Sequence, residues 1–174
     1  ILSELNTLTD YCDKSYSEYE PTKAGRAIAD FVDGYLSNWY VRLCRRRFWK
    51  GEYTCDKISA YQTLYTCLET IARLAAPIAP FFCERLFDDL NSVSGRFAFG
   101  SVHAADFPQS NPALVDKELE NRMQTAQKIC SLVLSLRKRN NLKVRQPLSR
   151  IMIPAKNAHQ QAQIEAVKDL ILSE

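Results

Sequence analysis

The chain has 174 residues, 46% of them hydrophobic and 25% charged, with 5 glycines, 7 prolines and a formal net charge of +3. These proportions exclude a disordered, collagen-like or disulfide-dependent protein and leave room for one folded domain and the beginning of a second. No apolar run is long enough to span a membrane and no signal peptide is present, so no membrane partner is expected and the cytoplasm is the default compartment. Ile1 already lies in a helical pattern, and Ser173 and Glu174 bring no stop signal, so the chain reads as a piece of a longer protein.

Leu2, Leu5, Leu8, Tyr11 or Cys12, Tyr16 and Tyr19 recur at helical spacing and predict a first helix that Glu20-Pro21 closes. A second begins at Pro21 or Thr22, runs to Lys50 and stops at Gly51. Its apolar stripe is Ile28, Phe31, Val32, Tyr35, Leu36, Trp39 and Leu43. On an ideal wheel of about 100° per residue, Arg46 falls beneath Trp39 and Arg42 at the stripe's edge, flanked by Arg45 and Arg47. A guanidinium so placed needs a partner, either a carboxylate of this chain or a group outside it.

Thr54 or Asp56 caps a third helix with Ile58, Tyr61, Leu64, Tyr65, Leu68, Ile71, Ala72 and Ala75 inward. Pro77 and Pro80 interrupt, and a fourth follows with Phe81, Phe82, Leu86, Phe87 and Leu90 as its stripe. Short turns make this an up-down-up-down bundle. Residues 91–112 read as a crossing loop, and a fifth helix spans about Val115 to Arg139. The period then switches to two: Leu142 and Val144 against Lys143 and Arg145, then Ile151 and Ile153, which predicts strand. A last amphipathic helix covers Ala158 to Leu172. The fold class is mainly α: an antiparallel helical bundle over 1–140, with the start of a small, incomplete α/β extension over 141–174.

Catalytic chemistry is missing from the inventory. No glycine loop cradles phosphate, no Ser-His-Asp or Cys-His set stands out, and His103 and His159 read as surface residues. The six cysteines lack metal-ligand spacing, so no metal is expected, and Cys44, Cys67 and Cys130 read as core residues. Asp88 and Asp89 read as solvent-facing carboxylates or counter-charges. Two basic clusters remain: Arg42, Arg45, Arg46, Arg47 and Lys50 with Trp49 beside them, and Arg137, Lys138, Arg139, Lys143 and Arg145. Cations at a helix C-terminus offset the macrodipole, which accounts for Arg47 and Lys50. The alternation after residue 142 puts Lys143 and Arg145 on one face, which suits an anionic partner.

The strings LSNWYVRLCRRRFW at 36–49, APIAPFFCERLF at 76–87, SVHAADFP at 101–108 and LRKRNNLKVRQPLSRIMIP at 136–154, with ILSELN at the start, resemble the anticodon-binding region of class I isoleucyl-tRNA synthetases. The blocks occur in order across the chain. The aromatic-arginine block is shared more loosely with the valyl, leucyl and methionyl enzymes, and KVRQPL at 143–148 favours isoleucine. The resemblance implies a helical bundle that contacts the anticodon stem-loop of tRNA-Ile beside a catalytic domain of the same polypeptide. That parent ligase would use ATP with magnesium, whereas this chain has neither catalytic signature of the class and needs no cofactor; Lys57-Ile58-Ser59 is only a faint echo of one.

If the catalytic domain precedes Ile1, the turns at 16–23 and 75–82 are distal and the turn at 51–56 is proximal. Lys14, Tyr16, Tyr19, Lys23 and Arg26 are then the candidates for the anticodon. Arg42, Arg45, Arg46, Arg47, Trp49 and the second cluster are expected to hold the tRNA backbone or an adjoining domain. The rival expectation is a docking bundle whose arginines brace the catalytic domain without reading RNA.

Overall fold

The computed structural model describes residues 1–173, and these form two compact units, Ile1–Val115 and Asp116–Glu174. The first is a bundle of α1 (Leu2–Ser17), a continuous rod made of α2 (Pro21–Asp30), a π-helical segment (Phe31–Val41) and α3 (Arg42–Trp49), then α4 (Cys55–Ala75) and α5 (Pro80–Ser94). Leu5, Leu8 and Cys12 of α1, Ala24, Ile28, Phe31 and Leu36 of the rod, and Cys67, Ile71 and Leu74 of α4 make its main core. Thr54, not Asp56, caps α4, its hydroxyl accepting from Lys57 N. Gly51, at φ 81°, turns the chain between α3 and α4, a conformation that favours glycine.

Three apolar stripes differ from the expected ones. In the π segment each turn takes in an additional residue, so everything beyond it is rotated by roughly 100°. The buried positions become Cys44 and Phe48 instead of Leu43 and Arg46, and Arg42 and Arg46 face solvent. On α4 the sealed residues are Ala60, Cys67, Ala72 and Leu74, while Ile58 and Tyr61 are substantially exposed. This helix packs on α1, α2, α3 and α5, and small side chains are what permit close approach on several sides. On α5 the core is Cys83, Leu86 and Phe87, and Phe81 and Phe82 stand in solvent at 91% and 68% exposure.

The segment after α5 is ordered by specific bonds. Gly95 caps α5, and the Asn91 side chain accepts from Phe97 N at 2.9 Å and donates to Phe97 O at 3.0 Å, turning Phe97 and Phe99 back onto Phe87. Buried Glu69 pairs with Arg73, and the guanidinium groups of Arg73 and Arg96 lie 5.6 and 5.5 Å from the Phe97 ring centre. The chain then descends along α1: Phe107 meets Tyr16 edge-on, Ser110 Oγ donates to Asn6 O, and Asn111 N donates to Asn6 Oδ1.

In the second unit, Asp116 caps α6 (Lys117–Arg139), against which α7 (Ala158–Ala166) and α8 (Lys168–Leu172) pack. The strand expected after residue 141 is absent among the described residues. Its alternating pattern finds no neighbouring strand to take up the backbone hydrogen bonds, and Arg137 Nη1 instead binds the carbonyls of Lys143 and Gln146 in a turn. The extension is therefore helix and irregular chain, and its helix breaks at Val167, where φ is −116°.

Two outcomes are expected. Phe87→Ala should lower unfolding free energy by about 3–5 kcal/mol and Phe81→Ala by less than about 0.5 kcal/mol, read by urea denaturation. Burial pushes the Cys12 and Cys67 thiols up to about 11 and Tyr16 up to about 12, so the folded state holds these protons more tightly than the unfolded chain. That contribution is complete below about pH 9 and is lost as pH rises toward 12. Denaturation midpoints should fall across this window, and Cys67→Ala should flatten the fall.

Candidate nucleic-acid interface

The distal end is built where the α1–α2 and α4–α5 turns meet. Tyr16 donates its hydroxyl to Leu74 O at 2.9 Å, and a Cβ on Gly25 would stand 3.2 Å from Ile78 Cδ1, so glycine lets α2 sit against the second turn. Tyr16 is thereby committed to packing, half-buried against Phe107. Tyr19 is the opposite: it is 93% exposed at the tip of its turn and holds φ 58°, a strained conformation for a residue with a Cβ. Glu20 N reaches back to Ser15 O at 2.8 Å and fixes this turn.

Cations surround the tyrosine. Lys14 pairs with Asp10 at 2.6 Å and Lys23 with Glu20 at 3.6 Å, both as exposed pairs that a stronger anion can displace. Arg26 is exposed and makes no side-chain bond among the described residues. The sequence reading missed Phe81 and Phe82, which stand at the same end beside half-exposed Ile78. Pro80 was the available signal: it starts α5, and the two phenylalanines follow in the first turn, beyond the reach of the neighbouring helices. Three exposed aromatic rings among three cations can stack bases and hold phosphates.

The proximal cluster divides. Arg47 is structural: its guanidinium binds both Asp56 carboxylate oxygens at 2.7 and 2.8 Å and Asp56 O at 3.0 Å, ties α3 to α4, and is raised in pKa chiefly by that carboxylate. Arg45 lies over the Trp49 ring at 4.9 Å. Arg42 and Arg46 are exposed, which corrects the expectation that they face the core.

In the second unit Arg137 braces the following turn, while Lys138, Arg139, Lys143 and Arg145 are exposed. Without a strand, Lys143 and Arg145 lose the argument that placed them on one face. All six cysteines are free, five of them buried, and no cluster of metal-ligating side chains occurs among the described residues. No described helix is long and apolar enough to cross a membrane.

Residues 1–153 match the anticodon-binding domain of tRNA ligases. The chain is similar over its whole length to isoleucine–tRNA ligases, with 63% identity to that of Cytophaga hutchinsonii, 60% to that of Bacteroides thetaiotaomicron and 47% to that of Dehalococcoides mccartyi. It spans 15–17% of the length of these relatives. By the extent of that match, the chain belongs to the family of anticodon-binding domains of tRNA ligases.

Proposed function

We propose that this chain holds the anticodon stem-loop of tRNA-Ile with its distal end. It would thereby position the tRNA for aminoacylation by a catalytic domain of the same polypeptide, in the cytoplasm. The observation that carries the reading is the convergence of Tyr19, Phe81 and Phe82, all largely exposed, with Lys14, Lys23 and Arg26 at one end of a rigid bundle. Unpaired anticodon bases offer the faces that such rings stack, and the loop phosphates offer the charge. The specificity for isoleucine rests on the relatives. ATP with magnesium belongs, in this reading, to the catalytic part, and the chain's own residues contribute binding and orientation alone.

The rival docking bundle drew its force from two arginines on an apolar face. With Arg42 and Arg46 in solvent, that ground is gone.

Binding to a tRNA-Ile transcript, measured by fluorescence anisotropy across a salt series, should weaken by about 1–3 kcal/mol for each of Tyr19→Ala and Phe81→Ala, the range for loss of one stacked base. Lys14→Glu with Lys23→Glu should weaken it further and flatten the salt dependence. Equal binding of a transcript with a swapped anticodon at physiological salt overturns the base-reading function.

A further inference from the structure

The turn between α3 and α4 carries a surface that the distal site does not use. Trp49 and Tyr53 are 73% and 78% exposed, and each is accompanied by a cation: Arg45 at 4.9 Å from the Trp49 ring centre and Lys57 at 4.7 Å from that of Tyr53. The floor beneath them is rigid. Phe48 packs on Tyr40 and Tyr61, and the hydroxyls of those tyrosines donate to Ala60 O and Phe48 O.

Charge at this turn is unbalanced. Residues 42–57 hold six basic side chains against two carboxylates, and one of these, Asp56, is engaged on both oxygens by Arg47. Arg46 and Lys50 are exposed and make no side-chain bond among the described residues. Lys57 is only 7% exposed, yet its ammonium meets one carbonyl, Gly51 O at 3.3 Å, and the Tyr53 ring, with no carboxylate. A buried ammonium so poorly compensated attracts an anion.

We propose that this turn is a second anion-binding surface, formed by Arg45, Arg46, Lys50 and Lys57 with Trp49 and Tyr53, that grips the phosphodiester backbone of the same RNA. The inference rests on the RNA-binding reading above and extends it to the other end of the bundle. The 21 residues of α4 separate the two ends by about 30 Å, so the RNA touches both only if it reaches well beyond its loop. Phosphates suit the surface better than a protein partner does, because the centres of protein interfaces are depleted in charge and this centre is charged. Backbone contacts position an RNA without reading its sequence, so the distal end meets bases while the proximal end sets the register.

The test compares two RNAs, a full tRNA-Ile transcript and its isolated anticodon stem-loop hairpin, against this chain and three variants: Arg46→Gln with Lys50→Gln, Trp49→Ala, and Phe81→Ala. All the altered residues are exposed, and thermal melts check that the fold is kept. The proximal variants should weaken full-length tRNA binding about tenfold, with the double variant reducing the log–log salt slope by about 1.5–2, as two lost phosphate contacts require. They should leave hairpin binding unchanged, while Phe81→Ala weakens both RNAs. Wild-type affinity and slope for full tRNA in the proximal variants overturn the proposal and spare the distal reading if Phe81→Ala still acts. The same null on RNA, with lost binding of the catalytic domain supplied in trans, assigns the turn to a protein and also overturns it. If the unaltered chain binds neither RNA, the functional reading fails first and takes this proposal with it.

Discussion

Helix α4 is the constraint on which the bundle depends. It touches α1, α2, α3 and α5, and Cys67, Ala72 and Leu74 along it have no exposed surface. A helix enclosed on several sides has little room for large side chains, which is why its sealed positions are mostly small while its aromatic residues lie toward the margins. The functional ends inherit their rigidity from it. Leu74 anchors Tyr16 and hence the α1–α2 turn, Ala60 anchors Tyr40, and the buried Glu69 holds Arg73 and, through Phe97, the chain that closes over α5. Breaking the Glu69 pairing would leave a buried charge uncompensated, so that contact secures geometry more than it adds net stability.

The π segment shows where periodicity stops being a guide. Helix existence, the joints at Pro21, Gly51 and Pro80, and the mainly α class were all legible, because caps, prolines and spacing are local signals. The wheel holds only while every turn has the same number of residues. Phe31–Val41 departs from that number, and Arg42 and Arg46 consequently change sides without any change in the letters of the sequence. The strand after residue 141 failed for a related reason: alternation specifies a strand only when another strand is present to receive it.

Of the candidate site, Tyr19, Lys14, Lys23 and Arg26 were placed at the correct end by chain direction alone, since helix order in a short-turned bundle fixes which turns are neighbours. Tyr16 could not be told from Tyr19 by spacing, although one is packed against Phe107 and the other stands in water. Phe81 and Phe82 were assigned to the core because they continue an apolar pattern, and whether a helix's first turn outruns its neighbours is a property of their relative lengths. Lys57 and Tyr53 gave no signal at all, since their pairing depends on how Gly51 folds the turn.

The backbone at Tyr19 has one further consequence. A left-handed tyrosine is unfavourable in the free protein by something on the order of 1 kcal/mol, and the turn holds it there before any ligand arrives. The ring is thus displayed in advance, and binding need not order it. Glycine at this position would relieve the backbone and remove the ring in the same stroke, so selection for a more stable fold and selection for function pull in opposite directions at residue 19. A stability-guided redesign of this bundle would alter that tyrosine early, and would be mistaken to do so.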